Sequence, residues 1–126
     1  MTAARSTDFD DWLVTTFNKV GSFTMLIVLV EIGETSVTLL RSSYLHVVGD
    51  ETRWADMVPL FAATGAPWNG AAFFQADRAG LVKDGIAKKR LAELVHHLQG
   101  DRSLLNEGEF FDGAGLRLKV EEIVRH

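Results

Sequence analysis

The spacing of apolar residues changes along the chain, and each change marks an element. Phe9, Trp12, Leu13, Phe17 and Val20 recur at the three- and four-residue interval of an amphipathic helix. Ser6 or Thr7 supplies a cap, and Asp8, Asp10 and Asp11 place carboxylates at the positive end of the helix dipole. Gly21 suits the terminating position. These signals predict a helix over 7–20. Phe23 to Ile32 is then almost wholly apolar and shows no alternation. A bilayer-spanning helix needs about 20 such residues, so this run is read as a central strand over 22–32, covered on both faces.

Gly33-Glu34 predicts a tight turn. Val37 and Leu39 alternate with Ser36 and Thr38, which predicts a second strand over 35–40 in a hairpin with the first. Ser42-Ser43 is expected to interrupt the chain, with Tyr44 to Val48 forming a third strand. Trp54, Met57, Val58 and Phe61 predict a helix over 51–64, capped by Asp50 and kinked or divided at Pro59. Phe73-Phe74 centres a strand over 71–76. Asp77-Arg78-Ala79-Gly80 has the signature of a type I turn, leading to a short returning strand at 81–83.

Asp84 is expected to cap a helix over 85–99, with Ala87, Leu91, Leu94, Val95 and Leu98 as its stripe and Gly100 as its stop. A helical turn over 101–106 and a hairpin of 109–111 with 116–120 complete the pattern, and 121–126 turn helical or fray. The fold class is α+β: a mostly antiparallel sheet packed by two or three helices, in the order α-β-β-(β)-α-β-β-α-β-β. One domain over 1–126 is expected, with 1–6 and 124–126 frayed.

Phe73-Phe74 and Phe110-Phe111 place neighbouring aromatics on opposite faces of a strand. Both faces then need cover, and three helical stripes fall short of a sheet of five to seven strands. A homodimer would close the shortfall.

Composition narrows the function classes. The formal net charge is −4. The densest basic run is Lys88-Lys89-Arg90, on a helix that also carries Glu93, so nucleic acid and anionic membranes are not expected partners. Without cysteine there is no disulfide, thiolate nucleophile, iron–sulfur cluster or cysteine-based zinc site. The first residues hold no apolar signal segment, and the cytoplasm is the expected compartment. Nucleophile elbows, phosphate loops and dinucleotide fingerprints are missing, and no cofactor is expected.

The remaining candidates are single residues. Glu93 and His96 have the spacing of a metal half-site, on the outer face of their helix, with His97 one turn after Glu93. His46 lies in an apolar strand and would be a base if a carboxylate oriented it. Glu31, near the end of the buried strand, is the other acid–base candidate. Trp68 and Asn69, in the loop after Pro67, suit a ligand or partner contact, with Trp54 and Phe61 beside them.

The favoured reading is a non-enzymatic, homodimeric protein-binding module. An apolar-ligand binder with a pocket between sheet and helix, and a small enzyme using His46 and Glu31, are the alternatives. The order helix, three strands, helix, two strands, helix over about 7–99 resembles that of the class I type III secretion chaperones. That resemblance implies a homodimer holding an unfolded stretch of a secreted protein, and it rests on element order with no residue motif.

Overall fold

The fold begins with a reciprocal cap. Thr7 Oγ1 accepts from the Asp10 backbone N–H (3.0 Å), and the Asp10 carboxylate accepts from the Thr7 N–H (3.2 Å). Helix α1 (Asp8–Val20) follows and ends at Gly21, whose φ of 76° suits glycine. The computed structural model describes residues 6–78 and 80–118. After α1 come β1 (Phe23–Ile32), β2 (Val37–Val47), α2 (Trp54–Ala62), β3 (Gly70–Gln75) and α3 (Asp84–Gly100). A 3-10 helix over Arg102–Glu107 leads into β4 (Glu109–Asp112).

The chain is therefore α+β, with a four-stranded antiparallel sheet in the order β2-β1-β3-β4. β1 is central, and Phe23 to Val30 are all buried, as an unalternating run requires. Its residues divide between two cores. Phe23, Met25, Ile27 and Leu29 face α1 and α2, where Phe9, Trp54, Phe61, Phe73 and Phe111 pack as tilted and edge-on rings. Val28 and Val30 face α3 and the 3-10 helix, with Leu98, Leu105 and Phe110.

The cover that the aromatic pairs demand is thus present within one chain. Phe73 and Phe111 lie under α1 and α2, while Phe74 and Phe110 lie under α3 and the 3-10 helix. The shortfall that favoured a second subunit does not arise among the described residues.

Several expected boundaries move for local reasons. Val37–Val47 is one continuous strand, so Tyr44 to Val48 is not separate from 35–40. Ser42-Ser43 stays in register with β1, and the irregularity falls at Leu40, bulged opposite Leu29 and Val30. α2 begins at Trp54 with Arg53, not Asp50, at the cap position, and the Asp56 carboxylate accepts from the Arg53 N–H (2.9 Å). Pro59 neither splits nor ends α2. The residue whose carbonyl it leaves free, Ala55, is exposed, so water can take the missing donor's place.

Leu81-Val82-Lys83 forms no strand, because the Val82 N–H is spent on Thr24 Oγ1 (3.0 Å). Asp84 is the first helical residue rather than the cap, which is Lys83. In the last hairpin, 116–118 pairs with β4 through one bridge, Phe111 to Arg117, and through the Leu118 N–H to Phe110 O (2.7 Å). Ala79 of the expected turn, residues 119–120 of the expected strand, 121–126 and 1–5 lie outside the described residues. Among those described, no helix is long and apolar enough to cross a membrane.

Candidate functional site

The sheet has two edges, and β2 forms the open one. Register fixes which backbone groups point outward. The Ala76 N–H donates to Thr24 O (2.9 Å) and the Asn69 N–H to Val30 O (3.0 Å), so the even-numbered residues of β1 bond towards β3. In an antiparallel ladder the odd-numbered residues then bond towards β2. Their partners Val47, Leu45, Ser43 and Arg41 face inward. Ser42, Tyr44 and His46 pair with Val28, Leu26 and Thr24, and so present N–H and C=O away from the sheet.

The ends of this edge are closed by side chains. Arg102 Nε donates to Val37 O (2.7 Å), and Ser22 Oγ donates to Val48 O (3.3 Å). Between them, no other strand pairs with β2 among the described residues. The bulge at Leu40 limits the regular stretch to Arg41–Val47.

A depression flanks this stretch on each face. On the α2 side a groove of about 480 Å³ lies between β2 and α2. Its apolar walls are Ile27, Leu29, Leu45, Met57, Leu60 and Phe61, with Arg41 at its rim. Leu60 is 59 % exposed. On the α3 side a shallower depression of about 370 Å³ runs past Ser42, Leu91 and Val95, with Lys88 and His96 at its margin. A smaller hollow beside Leu39, Arg41, Val95 and Gln99 continues it.

His46 terminates the edge and does find a carboxylate, from a residue 38 positions on. Thr24 Oγ1 accepts from the Val82 N–H (3.0 Å) and shares a hydrogen bond with His46 Nδ1 (2.8 Å). His46 Nε2 donates to Asp84 Oδ1 (2.7 Å). The hydrogen bond from His46 holds the Asp84 carboxyl below its ordinary value, outweighing desolvation, with the His46 charge, Tyr44 and Lys88 assisting. Partial desolvation raises the Tyr44 phenol, and the neighbouring Asp84 charge adds to it.

Thr24 is fully buried, and neither His46 nor Asp84 lines any of the three depressions. The arrangement ties β1, β2 and the start of α3 together.

The other candidates are dispersed. Glu31 is exposed and sits seven positions from Thr24 along β1, about 23 Å from the His46 end at strand rise. Trp54 is in the core, with its ring N–H on Gly113 O (3.1 Å). Trp68 packs edge-on against Trp54 and Phe61, with centroids 6.0 and 5.1 Å apart. Asn69 acts as a backbone mimic at the end of β1: Oδ1 accepts from Ile32 N–H (2.7 Å) and Nδ2 donates to Ile32 O (3.2 Å). Of the four contact candidates only Phe61 lines the groove.

Glu93 and His96 are exposed on α3, and among the described residues no group of three or more His, Asp or Glu could hold a metal ion. Arg41 and Leu60 were not singled out by the sequence, and Lys88 only as part of the basic run Lys88-Lys89-Arg90. A signal existed for Leu60, an apolar residue outside the stripe of Trp54, Met57, Val58 and Phe61.

Comparison with protein-family models, curated proteins and solved structures yields no match. The observed order α-β-β-α-β-α-β also departs from the one on which the chaperone resemblance rests.

Proposed function

We propose that this chain is a non-enzymatic protein-interaction module that takes an extended segment of a partner onto the outer edge of β2. The observation that carries this reading is the conjunction at Arg41–Val47. Outward backbone donors and acceptors run along a strand flanked on both faces by depressions with apolar walls. Strand addition uses such a combination: main-chain bonds supply affinity, and alternate side chains of the incoming segment read the two flanks.

Selection of random ten-residue peptides on the immobilised protein tests this. Enriched peptides should bind the wild type, slow amide exchange at Ser42, Tyr44 and His46, and fail on Ser42→Pro. Equal binding to Ser42→Pro contradicts the reading.

The groove between β2 and α2 supports a second reading, a site for a small apolar ligand, since about 480 Å³ is within the range of such sites. A ligand held there alone would be lost on Leu60→Glu and retained on Ser42→Pro, whereas an added strand would be lost on Ser42→Pro.

A further inference from the structure

Taking the β2 edge as the docking strand, we infer that its partner is an extended segment in which large apolar residues alternate with acidic ones. Period-two geometry sends alternate side chains of an added strand to opposite faces of the sheet. One set would enter the deep groove, whose walls are Leu29, Leu45, Met57, Leu60 and Phe61. The other set would lie over the shallow side, beside Lys88 and His96.

Charge chooses the second set. The chain as a whole is at −4, yet no carboxylate lines any of the three depressions beside β2, whereas the cations Arg41 and Lys88 do. The acidic side chain at that end of the strand, Asp84, is already engaged by His46. The edge is therefore a cationic strip on an acidic protein. An acidic partner gains from it, both in encounter rate and in register. A second copy fits it less well, because antiparallel pairing about Ser42 and Ser43 would bring two such cationic strips together.

The test uses labelled ten-residue peptides of alternating leucine and glutamate, leucine and lysine, or serine and glutamate. Binding is followed by fluorescence anisotropy on the wild type, on Arg41→Glu/Lys88→Glu and on Ser42→Pro. The leucine–glutamate peptide should bind the wild type at least tenfold more tightly than either other peptide. The doubly reversed variant should prefer leucine–lysine, and Ser42→Pro should bind none.

If leucine–glutamate and leucine–lysine bind equally, and both are lost on Ser42→Pro, the charge inference falls while the edge reading survives. If binding is unchanged by Ser42→Pro, the edge reading falls as well. A wild-type dimer in light scattering that becomes monomeric as Ser42→Pro would assign the edge to a second copy and overturn the inference.

Discussion

The two edges of the sheet are treated in opposite ways. At β4 the chain returns on itself. The Leu118 N–H bonds Phe110 O (2.7 Å), the Asp112 N–H bonds Leu116 O (2.8 Å), and Arg117 pairs with Phe111. Side chains reinforce the return: Asp112 Oδ1 accepts from Ala114 and Leu116 N–H (2.8 and 3.0 Å), and Asp8 Oδ2 accepts from Arg117 N–H (2.8 Å). Gly115, at φ 80°, fits only as glycine, since a Cβ there would stand 2.8 Å from the Trp54 ring.

At β2, by contrast, bonds from Arg102 and Ser22 close only the ends. An exposed edge invites pairing with other chains, and proteins usually blunt it. Here one edge is closed by many separate contacts while seven residues of the other stay regular. Among the described residues the open, regular backbone edge of the sheet is therefore at Arg41–Val47.

The largest expected effect separates the edges by packing. Phe111 on β4 is fully buried among Phe9, Trp54 and Phe73, and Phe111→Ala should cost about 3–5 kcal/mol. Leu45 on β2 is only partly buried at the groove, and Leu45→Ala should cost about 1–2 kcal/mol. Urea denaturation of both variants measures the contrast.

A pair of prolines sharpens it. The Ser43 amide faces β1, so Ser43→Pro removes a ladder bond and should cost about 2–3 kcal/mol. The Ser42 amide faces outward, and Ser42→Pro should stay within about 1 kcal/mol of wild type. Equal costs would mean that the inward and outward assignments are wrong.

Besides its core side chains, α2 is tied to α1 by one carboxylate. Asp10 is 8 % exposed and its Oδ1 accepts from the Trp54 N–H (2.6 Å), joining α1 to α2. Asp10→Ala strands that buried amide and removes the reciprocal half of the capping box of α1, the Thr7 N–H bond to the Asp10 carboxylate. A loss of about 1–3 kcal/mol is expected in the same denaturation assay.

How much of this was legible in the sequence follows from the range of each interaction. α1 and β1 were readable because their signals are local: periodicity and caps for the helix, an unbroken apolar run for the strand. The continuity of β2 was not. Ser42-Ser43 looks like a break locally, and only pairing with Val28 and Ile27 shows that the strand runs through it. The missing strand at 81–83 has the same cause, since Thr24 takes the Val82 amide from a distance of 58 residues. Among site residues, Phe61 was found as part of a stripe. The His46 carboxylate was missed because Asp84 is near only in the fold, and Trp54 drew attention for a ring that the core absorbs.

The smallest effect concerns that His46–Asp84 contact. Its hydrogen bond lowers the folded-state value of Asp84, so its contribution is complete above the ordinary carboxyl value of about 3.9 and is lost as pH falls through the folded value. The difference in urea midpoint between wild type and Asp84→Asn should therefore be present at about pH 5 and shrink below about pH 4. A difference that persists unchanged into acid would assign the contact no ionic part.

Residue-resolved amide exchange in the free, dilute protein tests the open edge most directly. Ser43 and Leu45, bonded to β1, should exchange slowly, while Ser42, Tyr44 and His46 exchange rapidly, giving an alternation along β2. Slow exchange at all five positions would show the edge already covered, and would contradict a strand held open for a partner.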